Sequence, residues 1–154
     1  MKKILLGILL LQVFSFPVLA QKRDFYIEIV PSRDVLEKGE IFTVTTSIMN
    51  VTQKEQRLCF WTCSYDENWS LEDSSKKIQF YGVNCEKNIV SCMTLKPLEK
   101  FEKELYLQVS DSAKKGKTTF KLAFIPCVSR EECFETAKEN QETFLSQEAK
   151  VRIK

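Results

Sequence analysis

Four separated stretches of the chain alternate between two sets of side chains, and no other feature restricts the fold as tightly. In residues 41–51, Phe42, Val44, Thr46 and Ile48 fall on one side and Ile41, Thr43, Thr45 and Ser47 on the other. Residues 102–109 set Leu105, Leu107 and Val109 against Glu104, Tyr106 and Gln108. Residues 118–125 align Phe120, Leu122 and Phe124, and residues 148–153 align Ala149, Val151 and Ile153 against Lys150 and Arg152. A period of two collects one apolar face only in an extended strand; a helix would spread the same residues around its axis.

Shorter runs fit the same scheme. Residues 25–30 (FYIEIV) are β-branched and aromatic and stop at Pro31, and residues 57–62, 78–82 and 89–95 read as further strands. Turns fall at Gly39, at residues 52–56 and around Gly116. Residues 63–77 have no sustained period and are rich in Asp, Glu, Asn and Ser, so an irregular loop is expected. Residues 129–146 break the rhythm. Ser129 followed three residues later by Glu132 is a capping-box signature, and a helix of about two to three turns is expected there, before the last strand.

The amino terminus has another character. Lys2 and Lys3 precede an apolar run that ends at Val18-Leu19-Ala20, the pattern of a secretory signal peptide over residues 1–20. Residues 21–154 are then expected to form a single domain, secreted or periplasmic, with no stable membrane insertion after cleavage. Without Lys2 and Lys3, 21 basic residues face 21 acidic ones, so the domain lacks the positive field that nucleic-acid binding requires. The chain contains no histidine, which excludes Ser-His triads and histidine metal sites.

Cys59, Cys63, Cys85, Cys92, Cys127 and Cys133 make an even set, expected to form three disulfides in an oxidising compartment. Their order suggests Cys127–Cys133 as a local clip and Cys63–Cys85 across the irregular loop. Cys59–Cys92 would then join the flanking strands. The first would stabilise by about 2 kcal/mol and the second by about 3 kcal/mol on the chain-entropy model. Zinc or thioredoxin-like chemistry would need two-residue spacers, and Cys59 and Cys63 are separated by three.

Roughly eight short strands with regular turns and one helix indicate an all-β, antiparallel β-sandwich of about 7–8 strands, disulfide-stabilised, with a short helical insert at 129–146. The run Leu36-Glu37-Lys38-Gly39-Glu40-Ile41-Phe42-Thr43-Val44, the closing Asn50 and the stretch from Leu95-Lys96-Pro97 through Phe124 resemble bacterial exported immunoglobulin-like domains. Trp61 to Trp69, followed by Cys85-Glu86-Lys87-Asn88, is similar to small members of that group. The resemblance covers most of residues 25–126 and implies an immunoglobulin-like sandwich. The plan is also that of bacterial proteinase-inhibitor domains of the immunoglobulin-like type, which makes an inhibitory loop one functional expectation. The insert at 129–146 departs from the pattern.

Two regions are candidate contact surfaces. The first is the 63–77 loop, with Tyr65 and Trp69 among Phe60, Trp61, Phe80 and Tyr81; aromatics give large contact area at small entropic cost. The same residues could equally pack as a satellite core. The second is the 127–146 insert, with Glu132 and Phe134 as contact residues; it could instead be a lid burying Phe134, Ala137 and Phe144. Asp66, Glu67, Glu72 and Asp73 lack the spacing of a calcium loop, and nothing fixes them as a glycosidase pair. Asn50-Val51-Thr52 and Asn68-Trp69-Ser70 are glycosylation sequons. A non-enzymatic protein-binding module without cofactors is the expectation. A protease inhibitor and a small carboxylate-dependent hydrolase are the alternatives.

Overall fold

The computed structural model describes residues 24–63, 68–82, 87–127, 129–134 and 142–154. The expected signal segment, Tyr65, Cys85 and Ala137 lie outside them. The described residues are mostly strand, in the order β1 (Phe25–Pro31), β2 (Val35–Leu36), β3 (Ile41–Asn50), β4 (Gln56–Trp61), β5 (Trp69–Glu72), β6 (Ile78–Phe80), β7 (Val90–Leu95), β8 (Lys100–Val109), β9 (Gly116–Phe124), β10 (Phe144–Leu145) and β11 (Ala149–Ile153). One short helix, α1 (Arg130–Phe134), lies between β9 and β10.

The strands build two sheets and a ribbon. The first sheet has the order β1-β3-β8-β6, all antiparallel. In the second, β9 carries β5 along one edge and β10 then β11 along the other, and β2 joins β11 in parallel. The steps from Phe144 to Ala149 outnumber by one those from Phe124 to Phe120 opposite, a bulge at Ser146. There the Leu122 N–H, which has no backbone acceptor across the bulge, donates to Ser146 Oγ at 3.0 Å. The ribbon pairs β4 with β7.

Alternation decides what each sheet buries. Phe42, Val44, Thr46 and Ile48 of β3, Leu105, Leu107 and Val109 of β8, and Phe120, Leu122 and Phe124 of β9 are all buried. Phe42 meets Phe120 edge-on across the two sheets, with ring centroids 6.4 Å apart, and Phe25 meets Phe144 at 5.2 Å. Both sheets thus contribute to one hydrophobic cluster, where each large side chain stabilises by about 1.5–3 kcal/mol. The ribbon departs from simple alternation: Leu58, Cys59 and Phe60 are all buried. Leu58 and Phe60 join the main core, while Cys59 packs with Val90, Cys127 and Cys133 in a second, smaller cluster.

The connections are closed by side chains. Gly39 takes φ +71°, a left-handed value that costs glycine nothing, and its N–H reaches Val109 O at 3.0 Å. Asn50, fully buried, ends β3 with every polar atom engaged. Its Nδ2 donates to Leu95 O and Lys54 O, and its Oδ1 accepts from the Thr52 N–H and hydroxyl. Asn68 is buried in the same way, so neither sequon offers an exposed amide nitrogen in the folded domain. The Asn50→Ala variant would leave the Leu95 carbonyl short of its partner and the Thr52 amide without a side-chain acceptor, and is expected to lose about 3 kcal/mol in urea unfolding. A loss under about 1 kcal/mol would contradict this role.

Candidate functional site

The smaller cluster is centred on Cys59 in β4 of the ribbon. Cys59 has neighbours on both sides. Toward β7 it faces Cys92 directly and is bonded to it, Cα to Cα 4.1 Å. On the other side it forms a bridge with Cys127, the Cys59 N–H donating to Cys127 O at 2.7 Å and the Cys127 N–H to Cys59 O at 3.3 Å. Cys127 follows Pro126, whose missing N–H ends the run of β9. The chain then turns into α1, and Cys133 returns to bond Cys127, Cα to Cα 5.3 Å. Two of the three expected disulfides are therefore present as paired above. Cys63 is also disulfide-bonded, and the partner expected for it, Cys85, lies outside the described residues.

Two polar side chains fix this end of the molecule. Asn68 Oδ1 accepts the Trp61 N–H at 2.7 Å, while its Nδ2 donates to Ile125 O at 2.9 Å and approaches Cys127 Sγ at 3.5 Å. Lys103 reaches over the Phe60 ring and donates to Trp61 O at 3.2 Å and Thr62 O at 2.9 Å. Burial holds its ammonium pKa below the usual lysine value. Both tie β4 to the main body through backbone groups that a frayed strand end would leave unsatisfied.

The sequence-predicted residues separate on this frame. Trp69 is not a loop contact. It opens β5, is 3% exposed and packs on Phe124 with centroids 4.8 Å apart, so its ring is unavailable to a partner. Tyr65 lies outside the described residues. Residues 69–72 form a strand rather than loop because β9 offers an open edge there; a four-residue strand amid Asp, Glu and Ser has too little alternation to show in sequence. Phe134 is 64% exposed and meets Trp61 edge-to-face at 4.9 Å. The Trp61 indole N–H donates to Cys133 O at 3.3 Å, so the ring that carries Phe134 is held in place.

Within the expected insert lies the helix α1. Ser129 caps it, its hydroxyl accepting the Glu132 N–H at 3.1 Å, as the capping-box signature predicts. The described helix ends at Phe134, and residues 144–145 form β10 where helix was expected. Phe144 is buried against Phe25, as a lid would require, but Phe134 is not. Glu132 is half-buried. Glu131 has its pKa lowered, first by its own backbone N–H and then by the Ser129 hydroxyl.

Of the loop carboxylates, Glu72 is exposed and Asp73 is committed to its own turn. Asp73 Oδ1 accepts from the Ser75 hydroxyl and N–H, and Oδ2 from the Lys77 and Ile78 N–H groups. Burial alone would push this carboxyl up, but those four donors, the Ser75 hydroxyl foremost, outweigh it and hold the pKa below the usual value. Among the described residues, no group of three or more His, Cys, Asp or Glu is placed to hold a metal ion. A concave surface between the β1–β2 corner and β3 is lined by Arg33, Glu40, Tyr106 and Lys154, with Arg33 and Glu40 paired at 3.1 Å. It includes none of the predicted contact residues.

No protein-family model matches the chain, and no curated protein matches its sequence. Among solved structures, it is similar to a FixG-related protein from Vibrio parahaemolyticus, with 16% identity and a TM-score of 0.49, over 86% of this chain and 98% of that one. It is also similar to alpha-2-macroglobulin of E. coli, with 14% identity and a TM-score of 0.49, over 85% of this chain but 7% of that one. Spo0M, a sporulation control protein from Bacillus subtilis, matches with 8% identity and a TM-score of 0.49, over 86% of this chain and 50% of that one.

Two measurements check these placements. Trp69→Ala is expected to cost about 3–5 kcal/mol in stability, as a buried aromatic should; a cost under about 1 kcal/mol would put the ring at the surface. Because the folded Asp73 pKa is depressed, its stabilisation is present above the unfolded pKa and lost as pH falls through the folded one. Asp73→Asn should therefore lose less stability than the parent between about pH 5 and pH 2, and parallel urea midpoints over that range would contradict it.

Proposed function

We propose that the chain is an exported, immunoglobulin-like β-sandwich that works by binding a protein partner, with the Trp61–Phe134 surface as its contact. The sandwich reading is supported by strand order. The orders β1-β3-β8-β6 on one sheet and β5-β9-β11 on the other correspond to the ABED and CFG orders of constant-type immunoglobulin domains, with β2 and β10 as additions at the edges of the second sheet. The β4–β7 ribbon is then an addition to that plan. Export is supported by the disulfides, which persist in oxidising compartments.

The observation that carries the binding reading is the exposure of Phe134 on a rigid base. A phenyl ring in water is unfavourable by itself, and this one sits on Trp61, one residue from a disulfide and beside a hydrogen-bonded strand end. Preorganised aromatics lose little entropy when a partner covers them. The Phe134→Ala variant should keep its unfolding free energy within about 0.5 kcal/mol. It should also retain at least about tenfold less of whatever protein the parent captures from its native medium, a loss of about 1.4 kcal/mol. Equal capture by parent and variant would remove Phe134 from the contact surface.

A further inference from the structure

We infer that the two described disulfides form one coupled thiol-exchange site, in which a small thiol entering at Cys133 drives transfer of the bond on Cys59 from Cys92 to Cys127. The sulfur-bearing residues stand in a row across three neighbouring segments. Cys92 and Cys127 are the two lateral partners of Cys59, one on each side. Residues directly opposite in antiparallel pairing project their side chains to the same face. All four cysteines accordingly meet in the smaller cluster, Cys92 at its partly buried margin.

Backbone hydrogen bonding explains which bond is present at rest. Both backbone groups of Cys59 point to Cys127, which makes that a hydrogen-bonded pair with Cα atoms about 5.5 Å apart. The Cys92 side is the closer, non-hydrogen-bonded pair, at 4.1 Å. Both separations lie near the range that a disulfide spans. Cys59 is therefore within reach of a second partner that is itself already oxidised.

Asn68 sets the direction of attack. Its Nδ2 donor lies against Cys127 Sγ, and a donor there stabilises a thiolate on that sulfur. Cys59 is 0% exposed, and none of the described hydrogen bonds gives its sulfur such a donor. Opening Cys127–Cys133 at the Cys133 sulfur thus has the better leaving group. The steps balance without an added oxidant. An external thiolate bonds to Cys133 Sγ and releases Cys127 thiolate. Cys127 thiolate then bonds to Cys59 Sγ and releases Cys92 thiolate. Attack by Cys92 on the mixed disulfide at Cys133 returns the external thiol and leaves Cys59–Cys127 and Cys92–Cys133.

The test uses the folded, fully oxidised protein with limiting glutathione under native conditions, quenched with N-ethylmaleimide. Digestion with trypsin and chymotrypsin separates the cysteines that must be told apart, since Arg130 divides Cys127 from Cys133 and Phe60 and Trp61 lie between Cys59 and Cys63. Glutathione is expected on Cys133 at least about tenfold faster than on Cys59, followed by a Cys59–Cys127 cross-linked peptide. Asn68→Asp, which places a carboxylate at the sulfur, should slow the first step, provided that its circular dichroism matches the parent. Independent loss of the two native bonds with no Cys59–Cys127 peptide would overturn the inference. So would cross-links that scatter equally to Cys63, because they would report unfolding rather than a neighbouring sulfur.

Discussion

The contact between Phe42 and Phe120 stands for the constraint on which the rest of the molecule depends: two sheets must bury their apolar faces in one another, because neither can do so alone. β3 and β8 supply one wall and β9 the other, and the largest fully buried side chains come mainly from these strands. Every boundary condition follows from keeping those walls in register. A slip of one residue in β3 would put Ile41, Thr43 and Thr45 inward and Phe42, Val44 and Ile48 in water. The bulge at Ser146 is tolerated because a hydroxyl takes the place of a missing backbone acceptor.

The end of the domain that carries Trp61 obeys a different rule. Its small cluster is made largely of half-cystines, too little apolar area to hold itself together. It is fixed instead by covalent bonds and by buried amides. Asn68 and Lys103 each spend side-chain donors on main-chain carbonyls that no strand partner reaches. The result is a stiff rim on which Phe134 remains exposed, and rigidity with exposure is the combination that binding favours. The same crowding of sulfurs that stiffens the rim places Cys59 between two possible partners.

Much of this was legible in the sequence. Strands β3, β8, β9 and β11 follow from alternation and β1 from its β-branched and aromatic residues, and the inward faces of β3, β8 and β9 match residue for residue. The pairs Cys59–Cys92 and Cys127–Cys133 were those that order and spacing suggested among fifteen possible pairings, without fixing them. What escaped was what depends on a neighbour. β2, β5 and β10 are two to four residues long and are strands only because an edge of β9 or β11 accepts them. Trp69 lay in a polar stretch whose composition suggested a loop, yet Phe124 provides its pocket. At Phe144, in the expected insert, strand pairing with β9 and the contact with Phe25 prevailed over helix propensity. Phe134 was identifiable as a candidate by type, but its exposure depends on Trp61, seventy-three positions earlier in the chain.

The claim that both sheets share one cooperative core can be measured directly by native-state hydrogen exchange under increasing urea. Amides in β3, β8 and β9 should converge on a single opening free energy equal to that of global unfolding. If β9 exchanged through a separate opening several kcal/mol below that of β3 and β8, the two sheets would be independent units, and the account of the fold would fail with them.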